Sequence, residues 1–360
     1  MKILENIELK KYSTFYVGGV CKYFIEINNR EDIVNAFDFI KLKKEEIEID
    51  DFYILGMGSN TIFSNNLHRT CILKINIKNE NSFEIINNSN LENRNLDENV
   101  YVKANSAEVW DDLVLFSCES GYCGLENLSY IPGHVGAAPV QNIGAYGVEA
   151  KDLIKNVEVY NVEKNIFEIL ENNLLNNIEE NNLEFEYRDS LFKKNKNKYV
   201  ILSVTFLLNK NKNNPDSKYE GLDILESDSL LEIRNKIINI RKSKLPEWKD
   251  VPNCGSFFKN PIITKEELDF ILSKNKSIKY FEVICKQEIK YKLSAAQIID
   301  SLNIKGLEIG GAKVSPRHAL IIINENKEAT FQDVYDLSED ILSKVTSFYN
   351  IILEREVNML

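Results

Sequence analysis

Tyr130-Ile131-Pro132-Gly133-His134-Val135-Gly136-Ala137-Ala138-Pro139-Val140-Gln141-Asn142-Ile143-Gly144-Ala145-Tyr146-Gly147 holds no Asp, Glu, Lys or Arg, in a chain that is 28% charged. Gly or Pro recurs along it at intervals too short for a regular helix. A membrane span is excluded as well, because the backbone donors freed by these breakers would stay unpaired in lipid. Glycine lets a backbone approach a ligand closely, and the small alanines leave room for it. The run therefore predicts a cradle of backbone N–H groups for something large, flat and anionic, which fits a dinucleotide cofactor.

Outward from this stretch, the chain has 360 residues, enough for two or three domains with their own cores. It is 44% hydrophobic and 10% aromatic, so a globular fold is expected. A net charge of −11 lacks the basic footprint of a nucleic-acid binder. An anionic ligand must then be held by local features. Neither a signal peptide nor an apolar run of membrane length is visible, which predicts a cytoplasmic protein without a membrane partner. Cys21, Cys71, Cys118, Cys123, Cys254 and Cys285 form no CxxC pair, and the histidines are His68, His134 and His318 only. No metal site and no disulfide framework are expected.

Periodicity predicts a β-rich run over 12–20, a helix over 30–43 and a buried strand over 51–55 that feeds Gly56-Met57-Gly58-Ser59-Asn60. A strand entering a glycine turn suits a phosphate, yet an ordinary turn looks the same. Residues 79–99 read as a solvated hairpin or loop. A helix is expected over 106–120 and a long central strand over 199–208. Capping boxes at Ser229/Glu232 and Thr264/Glu267 open two further helices, and Thr330 caps another. A short helix within 293–300, a strand over 319–323 and a closing strand over 351–357 complete the pattern. Strands and helices mix without βαβ repetition, so the fold class is α+β. Arg188, between Tyr187 and Asp189 in an aromatic segment, is either a packed surface cation or an anion clamp.

The stretch together with Tyr187-Arg188-Asp189-Ser190, Gly255-Ser256-Phe257-Phe258-Lys259-Asn260-Pro261 and Leu353-Glu354-Arg355-Glu356-Val357 resembles the UDP-N-acetylenolpyruvoylglucosamine reductase (MurB) family. The resemblance runs from Ser13 to the last residues, and Tyr219 with the segment 192–244 is similar to the longer, type I form. It implies a vanillyl-alcohol-oxidase-type two-part FAD-binding domain, residues 1–70 with 348–360 and residues 71–243, plus a smaller α+β substrate-binding domain over 244–347. Non-covalent FAD and the co-substrate NADPH are implied. So are a UDP-sugar enolpyruvyl ether as substrate, a place in peptidoglycan precursor synthesis and a monomer.

What the resemblance assigns to single residues meets a definite chemical need. Hydride added to C3 of an enolpyruvyl group pushes a second negative charge into its carboxylate, so the site must stabilise a dianion and protonate C2. Arg188 would hold the carboxylate with its planar fork. Ser256 would donate the proton, helped by the basicity of the enolate and a dry site. Glu356 would polarise the carboxylate if protonated, or if bonded to Arg188 or a water. Glu354 lies on the same face as Glu356 if the segment is a strand, so only the motif separates them. Tyr187, Tyr219, Lys244 and Asn260 would contact substrate. Gly56, Gly58, Ser59 and Asn60 would hold the FAD pyrophosphate, and Ile131, Gly133, Gly136 and Ala137 would line the ring and ribityl. His134 reads as a bystander and His318 as a possible substrate neighbour. One departure is Arg355, where the family often has proline. An oxidase of the same fold would be expected to keep a histidine for covalent flavin. A non-catalytic relative would be expected to have lost Arg188, Ser256 or Glu356.

Overall fold

The computed structural model describes residues 1–78, 81–86, 98–176, 182–210, 223–225, 227–285 and 288–360. They gather into two units: Met1–Ile7, Cys21–Met57 and His68–Arg241 in the first, and Glu8–Val20, Gly58–Leu67 and Lys242–Leu360 in the second. This cuts the chain differently from divisions at 70, 243 and 347, because the short segments 8–20 and 58–67 pack with the C-terminal part.

In the first unit, strands Lys2–Glu8, Val20–Ile27, Thr70–Ile75 and Asp51–Leu55 lie side by side in that order, the last three parallel. The Arg30–Glu45 helix covers this sheet with Ile33, Ala36 and Ile40, and Asn29 caps it by accepting from the Asp32 N–H. A second, antiparallel sheet runs Ile166–Glu171, Ile154–Asn161, Tyr199–Asn209, Asn99–Asn105, Phe83–Ile86. The Tyr199–Asn209 strand is central and serves two cores. Val200 and Leu202 join Ile25, Ile33 and Phe52 in one, while Val204, Phe206 and Leu208 join Trp110, Leu113 and Leu128 in the other. Packing on both faces explains why this strand reads as one long apolar run.

The second unit is built on the Phe331–Tyr349 helix, whose stripe Val334, Leu337, Ile341 and Val345 is fully buried. Thr330 and Asp333 form its capping box, and Asn350 closes it in the left-handed region. Beside it lie a sheet of Asn253–Ser256, Ile321–Ile323, Ala312–Val314 and Glu308–Ile309 and a three-stranded sheet of Ile262–Ile263, Glu288–Leu293 and Tyr280–Cys285. Asn358–Met359 pairs in parallel with Thr61–Ile62.

Several expectations change. Residues 12–20 are not β-rich. A 3-10 turn at Lys10–Tyr12 leads into irregular chain, tied down by Thr14 N–H to the Gly58 carbonyl (3.1 Å) and Asn253 N–H to the Thr14 carbonyl (3.1 Å). Residues 351–357 are not a strand. Ile351, Leu353 and Val357 alternate because they enter the core, and only one bridge, Phe258 with Arg355, is made there. The helix expected from 106 starts at Trp110, since residues 106–109 are engaged by the uncharged stretch. Within 79–99, read as a solvated hairpin or loop, the Phe83–Ile86 strand pairs antiparallel with Tyr101–Ala104, in keeping with the hairpin alternative, while 79–80 and 87–97 lie outside the described residues. The hairpin Tyr280–Cys285 with Glu288–Leu293 was not foreseen.

Candidate active site

Within the first unit, the uncharged stretch is folded onto the chain just before the Trp110–Glu119 helix. Val135 N–H donates to the Glu108 carbonyl (2.9 Å), Gly136 N–H to the Ser106 carbonyl (2.9 Å), and the Gly133 carbonyl accepts from Trp110 N–H (3.0 Å). A 3-10 turn over Val135–Ala137 follows, in which Ala137 N–H donates to the His134 carbonyl (3.0 Å). The donors of Gly136 and Ala137 are therefore used inside the protein, so contact with a ligand here is made by surface and shape. Gly136 is demanded by packing, because a Cβ would sit 2.6 Å from the Ser106 Cβ.

The start of the stretch is clamped by charge. Tyr130 has φ +61°. Its N–H donates to Asp111 Oδ1 (2.6 Å), and its carbonyl accepts from Arg241 Nε (3.2 Å). Asp111 is in turn held bidentately by Arg234 at 2.6 and 2.7 Å. Burial pulls the Arg241 pKa below its ordinary value. Arg241 was missed in the sequence. Its place one turn before Lys244 was the available signal.

The Asp51–Leu55 strand delivers Gly56 to the same ledge: a Cβ built there would lie 3.9 Å from His134. The Gly56 carbonyl accepts from the Lys74 ammonium, whose pKa burial lowers to about 8. His134 drops to about 4, through burial first and then the Lys74 and Lys78 charges. His134 Nδ1, Ser106 Oγ and Glu108 Oε1 are buried with no hydrogen-bond partner among the described residues. Three orphaned polar atoms along one ledge indicate a place completed by a ligand, and their chemistry fits the polar part of a dinucleotide.

Arg188 lies on the far end of the stretch. Its guanidinium donates to the carbonyls of Gly144 (2.7 Å) and Asn142 (3.3 Å) and sits 5.4 Å from the Tyr187 ring centroid. Its own φ is +56°, a conformation rarely held by a long side chain outside functional turns. A Cβ on Gly144 would come within 3.2 Å of Arg188 Nη1, so the glycine makes the seat.

In the second unit, the Asn253–Ser256 strand ends at an exposed Ser256, after Gly255 at φ +70°. Two backbone bonds join this segment to the C-terminal motif: Glu356 N–H to the Phe257 carbonyl (2.8 Å) and Lys259 N–H to the Glu354 carbonyl (2.8 Å). Ser256 and the half-buried Glu356 are thereby brought together. Glu354 points elsewhere, its side chain 70% exposed and ion-paired with Lys259. Its exposure and its ion pair with Lys259 distinguish Glu354 from the half-buried Glu356. Gly58, at φ +77°, has the Tyr12 carbonyl oxygen 1.9 Å from where a Cβ would lie, so a neighbouring backbone dictates this glycine. Asn60 donates from Nδ2 to the Glu356 carbonyl (3.0 Å), and its own carbonyl accepts from Asn358 N–H (3.1 Å). It braces the C-terminal motif. Ser59 is half-buried beside it.

Asn260 Oδ1 accepts from Ala295 N–H (3.0 Å), at the start of the Ala295–Asp300 helix. Lys244 is exposed at the end of the Leu230–Lys244 helix. Burial lowers the His318 pKa, and the Lys305 and Lys244 charges act in the same direction against Asp300. Lys305 is a further cation that sequence reading left out. Tyr219 lies outside the described residues.

A mixed sheet-and-helix fold with a ledge shaped for a dinucleotide defines a flavin-binding protein, and residues 22–168 match the FAD binding domain model. Residues 246–360 match the model "UDP-N-acetylenolpyruvoylglucosamine reductase, C-terminal domain". Curated UDP-N-acetylenolpyruvoylglucosamine reductases align end to end. That of Flavobacterium johnsoniae is 33% identical, covering 100% of both chains, and that of Buchnera aphidicola subsp. Baizongia pistaciae 35%, covering 98% of each. The crystal structure of the Thermus caldophilus enzyme superposes with a TM-score of 0.64 at 20% identity over 99% of this chain and 98% of that one, a likeness of fold. The chain belongs to the UDP-N-acetylenolpyruvoylglucosamine reductase family and is an FAD-dependent oxidoreductase.

Proposed function

We propose that this protein reduces UDP-N-acetylglucosamine enolpyruvate to UDP-N-acetylmuramate with NADPH, using Arg188, Ser256 and Glu356. The observation that carries the residue assignment is the pair of backbone bonds that sets Glu356 against the residue following Ser256. FAD, when bound, would supply the hydride chemistry between NADPH and C3 of the enolpyruvyl group. The protein's part is electrostatic and protonic. The Arg188 fork neutralises the carboxylate as it gains charge. The Ser256 hydroxyl, exposed at its strand end, gives its proton to C2. Glu356, with its backbone fixed on both sides, polarises the same carboxylate.

The ledge of Ile131, Gly133, Gly136 and Ala137 would hold the ring and ribityl, with Lys74 and His134 beside it. Gly56, Gly58, Ser59 and Asn60 would serve the pyrophosphate through the turn they shape. Tyr187, Tyr219, Lys244 and Asn260 contact the UDP-sugar. The FAD is non-covalent, in a two-part domain of vanillyl-alcohol-oxidase type with a separate substrate-binding part. We place the enzyme in the cytoplasm as a monomer, where its product serves cell shape and division through the wall. Among the described residues no helix is long and apolar enough to cross a membrane.

The test is a two-stage anaerobic titration. NADPH should bleach the flavin, and the enolpyruvyl substrate should restore its colour. Ser256→Ala should bleach normally and recover colour about 10²- to 10⁴-fold more slowly. Loss of bleaching as well, or normal recovery, overturns the assignment of Ser256.

A further inference from the structure

Arg355 stands between the two glutamates of the C-terminal motif, and no role has yet been given to it. Its guanidinium is gripped by one turn of the Phe331–Tyr349 helix. Nε donates to Ser338 Oγ at 2.9 Å, a terminal nitrogen donates to the Glu339 carboxylate, and the cation lies 5.2 Å from the Tyr335 ring centroid. Ser338 is fully buried, and its hydroxyl is itself anchored to the Tyr335 carbonyl at 2.7 Å. Arg355 holds the Glu339 carboxyl below its ordinary pKa. A lone surface ion pair would carry little weight. Here, however, the arginine side chain is only 24% exposed, and its three partners, at i, i+3 and i+4, share one helix face. Such an arrangement fixes direction as well as distance.

What it fixes is the backbone next to Glu356. The two backbone bonds to the Ser256 segment use the Glu354 carbonyl, which accepts from Lys259 N–H, and the Glu356 N–H, on either side of Arg355, whose own N–H takes no part in them. The peptide carrying Glu356 is therefore held across by Phe257, from behind by Asn60, and along the chain by the side chain of Arg355. With no regular strand over 351–357 to supply rigidity, this clasp is the local substitute.

We propose that Arg355 is a positioning residue for the substrate-reducing step: clasped to Tyr335, Ser338 and Glu339, it sets the backbone that aims Glu356. The proposal rests on the reading of Glu356 as the group that polarises the substrate carboxylate. A tail latch without functional consequence would show the same contacts, so the test must separate aim from stability.

The experiment compares holoenzyme variants Arg355→Ala, Arg355→Pro and Glu356→Gln in three measurements: melting temperature, flavin bleaching by NADPH, and colour recovery with the enolpyruvyl substrate. Arg355→Ala should bleach at the parental rate and recover colour about 10- to 100-fold more slowly, the scale of a small misplacement of a reacting group. Arg355→Pro should regain most of that rate, because the ring restrains φ and no ladder donor is removed. If Glu356→Gln stalls recovery while Arg355→Ala does not, the positioning role falls alone. If Glu356→Gln recovers normally, the reading of Glu356 falls and takes this proposal with it. If Arg355→Ala slows both stages in proportion to a lowered melting temperature, the residue is structural only. Should the proline variant not fold, Glu339→Gln must show the same selective slowing at smaller size, and an unchanged recovery rate overturns the proposal.

Discussion

Gly136 of the stretch 130–147 and Gly255 of the segment 253–260 serve opposite ends. In the first, Gly136 has no positive φ and no room, since an added Cβ would lie 2.6 Å from the Ser106 Cβ. In the second, Gly255 has open space and an unusual backbone, φ +70° with nothing within 4 Å of a built Cβ. One glycine lets two pieces of chain close on each other, while the other turns the chain so that Ser256 faces outward. A surface for a flat cofactor is made by removing side chains, whereas a proton donor is presented by bending the backbone beneath it. The same residue type therefore signals two different jobs, and only the neighbours tell which.

This contrast can be broken first at Gly136. Gly136→Ala should destabilise the first unit by about 1–3 kcal/mol through overpacking against Ser106 and loosen FAD, read by thermal melting and cofactor retention. A neutral result would mean the ledge yields easily and is not a fixed surface. A second lever in the same stretch is pH. His134 titrates at about 4 in the folded protein against an ordinary 6.5, so the unfolded chain binds more protons between those values. Stability of the cofactor-stripped protein should fall as pH drops from about 6.5 to 4, and His134→Gln should flatten that slope in paired melting curves.

The other segment is expected to be more forgiving. Gly255→Ala meets no atom, so its cost should be the left-handed strain alone, about 1 kcal/mol, with FAD retained. Smallest of all should be Glu354→Ala. It removes an exposed partner of Lys259, and both flavin half-reactions should stay within about twofold, with stability changed by under about 1 kcal/mol. A large activity loss there would reverse the assignment of the two glutamates.

Much of the frame was legible in the chain. The helices capped at Ser229, Thr264 and Thr330 form as expected, because capping boxes and apolar stripes act locally. The central 199–209 strand was legible for the same reason, as continuous apolar burial. Residues 12–20 and 351–357 were misread as strands. Their aromatic and β-branched residues point into a core assembled from remote segments, and periodicity cannot see who the neighbours are. The bracing bond from the Asn60 amide to the Glu356 carbonyl, 296 residues away, left no signal in the sequence. The outward, ion-paired setting of Glu354 was also invisible in sequence, since it depends on Lys259.

The threading of the second unit bears on how the chain acquires its structure in time. Phe15, Ile62 and Val357 share one core, and Thr61–Ile62 has its strand partner at 358–359. Contacts so distant along the chain are slow to close, because the entropy of the intervening loop must be met first. The two cores of the first unit need nothing beyond Leu230. A ribosome thus releases the two apolar cores of the first unit well before the last residues of the second core exist. In that interval Phe15 and Ile62 wait without their partners, and these early apolar segments are where a folding chaperone would find its hold.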